Sequence, residues 1–261
     1  LKTETQKIMT TEKSKKTIDV VYIMDNRSKR ANLELAFSLR SIKKHLKNYR
    51  KIHIFGSDMS TVVKATATIK HHVTPPVEGE NNMVRKHALI DVVCKNKDVS
   101  DDFILVSDDC FLLENQDANS IPLYYSGTLE ERILGYRNQI SVSVAGLTNT
   151  RKILKNYKRK DKYFNTHAPF PINKKDFLKL RELYYLEEFK GGLIYKSLYC
   201  NHYKKRGRFT PNRLVYRRRS RESLEAKLHK ATFFAVADSG LTNVVIMFLN
   251  DTFPKKPSWE K

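Results

Sequence analysis

Residues 103–113, FILVSDDCFLL, constrain this chain more than any other stretch. Phe103, Ile104, Leu105 and Val106 form a short unbroken apolar run, the pattern of a strand buried on both faces. The run stops at Ser107-Asp108-Asp109-Cys110, and Phe111, Leu112 and Leu113 then resume it. The pattern thus predicts two carboxylates at the carboxyl end of a central strand. In an open α/β sheet that edge binds ligands, because the loops leaving the strand ends form the crevice. Paired carboxylates there can hold a hard divalent cation, which prefers oxygen ligands and can carry a diphosphate. An Asp-Asp pair can equally begin a turn and cap the next element.

The chain leading to these acids alternates between strand and helix. Ile18, Val20, Val21, Tyr22 and Ile23 predict a first strand, followed by the polar loop Asp25-Asn26-Arg27-Ser28-Lys29-Arg30. Leu33, Leu35, Ala36, Leu39, Ile42 and Leu46 recur at helical spacing and predict a helix ending near Asn48. KIHIF at 51–55 is a second strand, closed by Gly56-Ser57-Asp58, and a helix between two such strands implies parallel pairing. A weak element follows over 62–73. A helix then opens at Asn81-Asn82-Met83-Val84-Arg85-Lys86, with Ala88, Leu89, Val92 and Val93 as its apolar face, and delivers the chain to 103–106.

Past the acids the spacing predicts a strand near 122–127, one helix over 129–145, and a basic helix or loop over 152–162. The prolines hold 163–171, YFNTHAPFP, extended, because the residue before each proline is pushed away from helical geometry. Further expected elements are a helix over 173–186, a short element over 193–203, a strand over 232–236 and a helix over 238–249. Residues 1–16 lack apolar periodicity and read as a frayed arm, leaving 17–261 as a single domain.

Composition is ordinary except in charge. Among 261 residues there are 49 Lys plus Arg against 28 Asp plus Glu, a formal net charge of +21. Such a field favours polyanions: nucleic acid, an anionic membrane surface or a nucleotide-linked substrate. The charge concentrates in 204–230, where eleven Lys or Arg face two Glu and Phe209 and Tyr216 are interleaved. Lys204, Lys205, Arg206, Arg217, Arg218 and Arg219 are the candidate phosphate contacts of this run, whose plain alternative is a solvated face. Cys94, Cys110 and Cys200 are widely spaced and contain no CxxC pair, so neither a zinc site nor a disulfide framework is indicated. No apolar run approaches the roughly 20 residues needed to span a bilayer, and 1–16 is too polar for a signal peptide; a cytoplasmic protein is expected.

With these pieces placed, the chain resembles small glycosyltransferases of the GT-A type, particularly phage-encoded members, and more loosely the stealth sugar-phosphate transferases. The likeness covers VVYIMDNRSKRANLELAFSLRSIKKH, KIHIFGSD, NNMVRKHAL and FILVSDD in the first half, and THAPFPINKKDF, LIYKSLYCNHY and FLNDTFPKKPSWEK in the second. It implies an α/β fold, a mixed and mostly parallel sheet flanked by helices, with 151–230 as a basic acceptor-side region. It also implies that SDD stands at the metal-binding DxD position. On an Asp-x-Asp register Ser107 would come first and Asp109 second, which leaves open whether Asp108 or Asp109 touches the metal directly. The resemblance makes His167 the third ligand of a Mn²⁺ or Mg²⁺ ion.

The chemistry of sugar transfer assigns the remaining candidates. A nucleotide-sugar donor, with UDP the expected carrier, needs its diphosphate neutralised, which a metal held by Asp108 and Asp109 does as a Lewis acid. Arg85 and Lys86 add positive charge at the phosphates. Asp25 and Arg27, after the first strand, are placed to recognise uracil or ribose. An inverting enzyme needs a general base, for which Asp238 and Asp251 are the downstream candidates. The charge extends this reading to a nucleic-acid acceptor, a hydroxymethylated base in phage-type DNA. The rivals are a sugar or sugar-phosphate transferase of surface polysaccharide synthesis, and a non-enzymatic nucleic-acid-binding protein on a similar sheet.

Overall fold

The computed structural model describes residues 17–24, 32–75, 82–136, 141–184, 189, 191–216 and 220–261. The expected arm at 1–16, and with it Asp25, Arg27, Arg217, Arg218 and Arg219, lies outside the described residues.

The first half follows the alternation in the sequence. Strand β1 (Asp19–Met24) leads to helix α1 (Leu33–His45), the two-residue strand β2 (Leu46–Lys47) and β3 (Ile52–Gly56). The helix stops at His45 because Leu46 turns extended (φ −96°, ψ 128°) to pair with Gln116, and Asn48 then takes the left-handed conformation (φ 60°) that asparagine tolerates. Strand β4 (Ile69–Val73) is the regular strand within the weak 62–73 element, and α2 (Asn82–Lys95) carries the chain to β5 (Asp102–Val106). On α2 the buried face is turned from the expected one: Ile90 and Cys94 are inside with Leu89 and Val93, while Val92 is exposed.

These strands form a five-stranded sheet in the order β4-β3-β1-β5-β9, where β9 is Phe170–Asn173. The first four are parallel and β9 runs antiparallel to β5. The middle strand is β1, so β5 lies one place off centre. Pro171, which has no amide hydrogen to give, is accommodated because β9 is the edge strand. Alternation along the strands builds two cores. Val21, Phe55, Phe103 and Leu105 pack on one face with residues of α2 and later helices, and Val20, Tyr22, Ile54, Ile104 and Val106 pack on the other with α1. Gly56 ends β3 at φ 110°, and a side-chain carbon there would sit 2.2 Å from the Met24 carbonyl oxygen. Only glycine lets β3 close against β1 at this edge.

After β5 come β6 (Cys110–Leu112), β7 (Gln116–Asp117), the partner of β2, and β8 (Tyr124–Tyr125). The run expected as one helix over 129–145 is two. Thr128 and Glu131 form a capping box that starts α3 (Leu129–Gly135), and the Ser141 hydroxyl accepts from the Val144 amide to start α4 (Val142–Asn156). Helix α5 (Lys174–Tyr184) follows β9, then α6 (Tyr195–His202), β10 (Arg208–Phe209) beside β8, and β11 (Leu214–Val215). Helix α7 (Arg221–Leu228), β12 (Phe233–Val236) and α8 (Asn243–Thr252) complete the chain. Strands β11, β12 and β6 make a small second sheet, covered by α7 and α8 through Val215, Leu224, Phe234, Val245 and Leu249. The three cysteines are free and buried.

The amino edge of the main sheet is pinned by Asp19, which is fully buried. Its carboxylate accepts from Arg50 Nε at 2.9 Å and from the Ser100 amide at 2.8 Å. Burial raises its proton affinity, but His53, Arg50 and Ser100 outweigh burial and hold it well below the usual carboxylate range.

His87 on α2 is buried edge-on against Tyr195, with ring centroids 5.1 Å apart. Burial, helped by the Arg181 charge, lowers its pKa to about 3. The unfolded chain therefore takes up this proton near pH 6.5 and the folded chain does not, so the stability His87 confers is complete above that pH and is lost as pH falls towards 3. Between pH 6.5 and 4.5 the loss is about 2–3 kcal/mol. Urea unfolding of His87→Leu beside wild type should show the stability gap shifting by that amount in favour of the variant as pH falls. A gap independent of pH would mean that the imidazole titrates normally.

Candidate functional site

Strand β5 ends at Val106 and β6 begins at Cys110, and the Cys110 amide donates to the Ser107 carbonyl at 3.0 Å. Asp108 and Asp109 are therefore the two central residues of a tight turn between a strand of the main sheet and a strand of the second. The acids make a turn, and the turn presents them at the carboxyl edge of the parallel strands. The Val236 amide, at the end of β12, donates to the Asp109 carbonyl at 3.0 Å and fixes the turn from the other side.

His167 meets the acids from the segment leading into β9. Its Nδ1 lies 2.8 Å from Asp109 Oδ2, across 58 positions of sequence. Its backbone is left-handed (φ 59°), a conformation few non-glycine residues adopt without a local reason. Asp109 is tied through Oδ2 only; its Oδ1 is buried and has no hydrogen-bond partner. Burial raises the proton affinity of Asp109, yet His167, Lys86 and Lys196 together bring it below the ordinary value and keep it ionised. Asp108 goes the other way, pushed up to about 6 by burial, by the Asp109 charge next to it and, to a lesser extent, by Glu34.

The positive charge acting on the acids from the helices comes from Lys86 on α2 and Lys196 on α6. Arg85 and Lys86 occupy the second turn of α2, Lys86 exposed and Arg85 half-buried. Lys196, in the first turn of α6, is only 3% exposed, with its ammonium 5.3 Å from the Phe170 ring centroid. Burial and Lys86 lower its pKa to about 8. A buried lysine is costly unless an anion compensates it, as Asp109 does here in part, and the sequence pattern does not reveal its placement. The available signal is one lysine inside the apolar run LIYKSLYC.

A cavity of about 410 Å³ opens on the far side of His167. His167 and Asn165 form one wall, and Arg132 and Tyr163 another. Arg213 and Tyr216 close it from the loop around β11. Arg132 stacks 4.8 Å above Tyr163 and donates to Ser126 Oγ at 2.8 Å, so a planar cation and an aromatic face are both fixed in the wall. Polar hydrogen-bonding groups beside tyrosines suit a sugar or nucleoside.

The other expected residues are dispersed. Asp238 lies two residues past Val236, in a short 3₁₀ turn, and is exposed on the acid side of the second sheet. Asp251 is an exposed partner of Arg221, at 2.7 Å, near the end of α8. Lys205 follows the last turn of α6, away from Lys196 in the first. It pairs with Asp176 at 3.3 Å, and Lys204 and Arg206 beside it are exposed. This part of the basic run does not share a face with the acids.

The donor set is that of a hard cation: two carboxylates, one with an unpartnered buried oxygen. Among the described residues no group of three or more His, Cys, Asp or Glu is arranged to hold a metal ion, so Asp108, Asp109 and His167 are not a ready-made cage. The residues fit the open type of magnesium or manganese site, in which one or two carboxylates are completed by water and substrate phosphates. The fold and site define an α/β protein with a mixed, largely parallel sheet and an acidic strand-end turn. No protein-family model matches the chain, and no curated protein matches it either.

Proposed function

We propose that this protein is a metal-dependent transferase that moves a sugar or sugar phosphate from a nucleotide-linked donor to an acceptor hydroxyl, on a GT-A-like sheet. The observation that carries this reading is the Asp108-Asp109 turn, with one carboxylate oxygen left unpartnered, set between two lysine-bearing helices and a polar cavity. Asp109 and Asp108 would hold Mn²⁺ or Mg²⁺, which when bound neutralises the leaving diphosphate. Lys86 and Lys196 bind the phosphate oxygens, Lys196 from a dry environment where its charge is weakly screened. His167 has Nδ1 committed to Asp109, which leaves Nε2 on the cavity side to take the proton of an acceptor hydroxyl.

The cavity wall also bears on the acceptor. Arg213 and Tyr216 belong to the basic 204–230 run and line the space that would hold it. A hydroxymethylated base extruded from DNA fits a cavity of this size, as does the terminal sugar of a polysaccharide. The net charge favours the nucleic acid. Incubating the protein with labelled UDP-sugars and Mn²⁺, and offering hydroxymethylated duplex or oligosaccharide, separates the two by which polymer gains label.

A panel of UDP-sugars should first be screened by thermal shift. A true donor at about 100 times its Kd stabilises by about 2.7 kcal/mol, or roughly 5–10 °C for a chain of this length, in Mn²⁺ and not in EDTA. No shift with any nucleotide sugar would remove the transferase reading and leave the nucleic-acid-binding one.

A further inference from the structure

A second cationic feature lies apart from the acids. Between the last turns of α1 and the segment after α8 is a groove of about 580 Å³. Phe253, Pro254 and Pro257 supply an apolar floor, and Arg40, Lys43, Lys44, Lys255 and Lys256 line it. Among the described residues no acidic side chain lines it, and the nearby Glu260 is already engaged by Arg40 in a two-pronged ion pair. Arg40 also donates to the Phe253 carbonyl at 3.0 Å, so it braces the groove. Lys44 donates to the Thr252 carbonyl at 2.8 Å. Lys43, Lys255 and Lys256 are exposed and have no carboxylate partner among the described residues.

We infer that this groove docks the protein on an anionic phospholipid surface, with the lipid phosphate among the lysines and the glycerol and first acyl carbons over the exposed Pro254 and half-buried Pro257. Three features select this occupant. The groove is far larger than a phosphate needs, and its floor is apolar. Its free cations are lysines, point charges on long stems that can lie along apolar surface while the ammonium reaches a headgroup. It also lacks an exposed aromatic face on which a base could stack, since Phe253 is buried, which disfavours a nucleic acid. Among the described residues no helix is long and apolar enough to cross a membrane. Lys43 and Lys44 are in the last turn of a helix that starts near the carboxyl edge of the sheet, so a docked bilayer leaves the acid edge open.

The test is co-sedimentation of the full chain with vesicles of phosphatidylcholine alone, or with roughly 30 mol% phosphatidylglycerol added, at about 0.1 M salt. Binding is expected only to the anionic vesicles. Lys43→Gln, Lys255→Gln and Lys256→Gln together should weaken it on the order of a hundredfold, each lysine near the surface contributing several-fold. The control removes the same three charges elsewhere, at the exposed Lys152, Lys155 and Lys160, and should keep most of the binding. Equal losses in both triple variants would mean that only the overall +21 acts, and would overturn the proposal. So would absence of binding to anionic vesicles, or a groove variant that loses duplex DNA while retaining vesicles. Excess inorganic phosphate should compete weakly, because it lacks the apolar part; competition that abolishes binding would make the groove a free-phosphate site instead.

Discussion

Asp109→Asn is expected to abolish Mn²⁺-dependent binding of the donor and to lower turnover by two to four orders of magnitude while the fold stays intact. Asparagine keeps the shape of the side chain and its contact to His167, so the turn and the Val236 hydrogen bond survive. The variant loses the ionised carboxylate whose buried Oδ1 has no other partner. Lys86 and Lys196 then face a neutral group, and a metal would retain Asp108 alone. Removing a hard oxygen ligand from a site that offers two forfeits several kcal/mol of charge stabilisation, far more than a surface turn could lose. Calorimetric titration of the donor with and without Mn²⁺ reads this directly. Unchanged affinity in both Asp109→Asn and Asp108→Asn, with melting temperatures close to wild type, would take the acids out of the site and make them a structural turn.

The first half of the fold is legible because its signals are local. Strand β1, helix α1, strand β3, helix α2 and strand β5 each have a hydrophobic period of their own, and parallel pairing follows from the helices between them. The second half is legible only in part: the elements expected at 122–127, 173–186, 193–203 and 232–236 are present as β8, α5, α6 and β12, and the rest escapes for three physical reasons. Strands β6 and β11 are two or three residues long, too short for a period, and β6 is held by its pairing with β12 across more than a hundred positions. The antiparallel edge strand β9 depends on a return of the chain that no local pattern encodes. The break between α3 and α4 rests on the Ser141 cap, hidden inside an apolar spacing that continues through it.

The same division runs through the site. Asp108 and Asp109 stand out because acids after an apolar run are conspicuous, whereas His167 is reached only through family resemblance, and its contact with Asp109 is long-range. Lys196 is inconspicuous because a lysine in a short amphipathic element normally points to solvent. Here α6 is buried on nearly all sides and the side chain has no outward path. Asp251 fails to join the site because its position follows from the packing of α7 on α8, where Arg221 claims it.

His167 decides between two chemistries, and its backbone makes a clean variant available. Asparagine tolerates the left-handed conformation better than most residues, so His167→Asn removes the imidazole with little backbone strain. If His167 takes the acceptor proton, kcat should fall by a factor of about 10²–10⁴ while donor affinity changes little. The loss should be the same at every Mn²⁺ concentration. If instead Nε2 ligates the metal, with Asp109 orienting the ring through Nδ1, the loss should be greatest at low Mn²⁺ and recover in part as the ion is raised. A histidine that serves only to hold β9 against the acid turn would lower the melting temperature and leave both kcat and the metal dependence of the folded enzyme unchanged. The Nδ1 contact to Asp109 and the opening of the cavity beside the ring make the proton-transfer outcome the expected one.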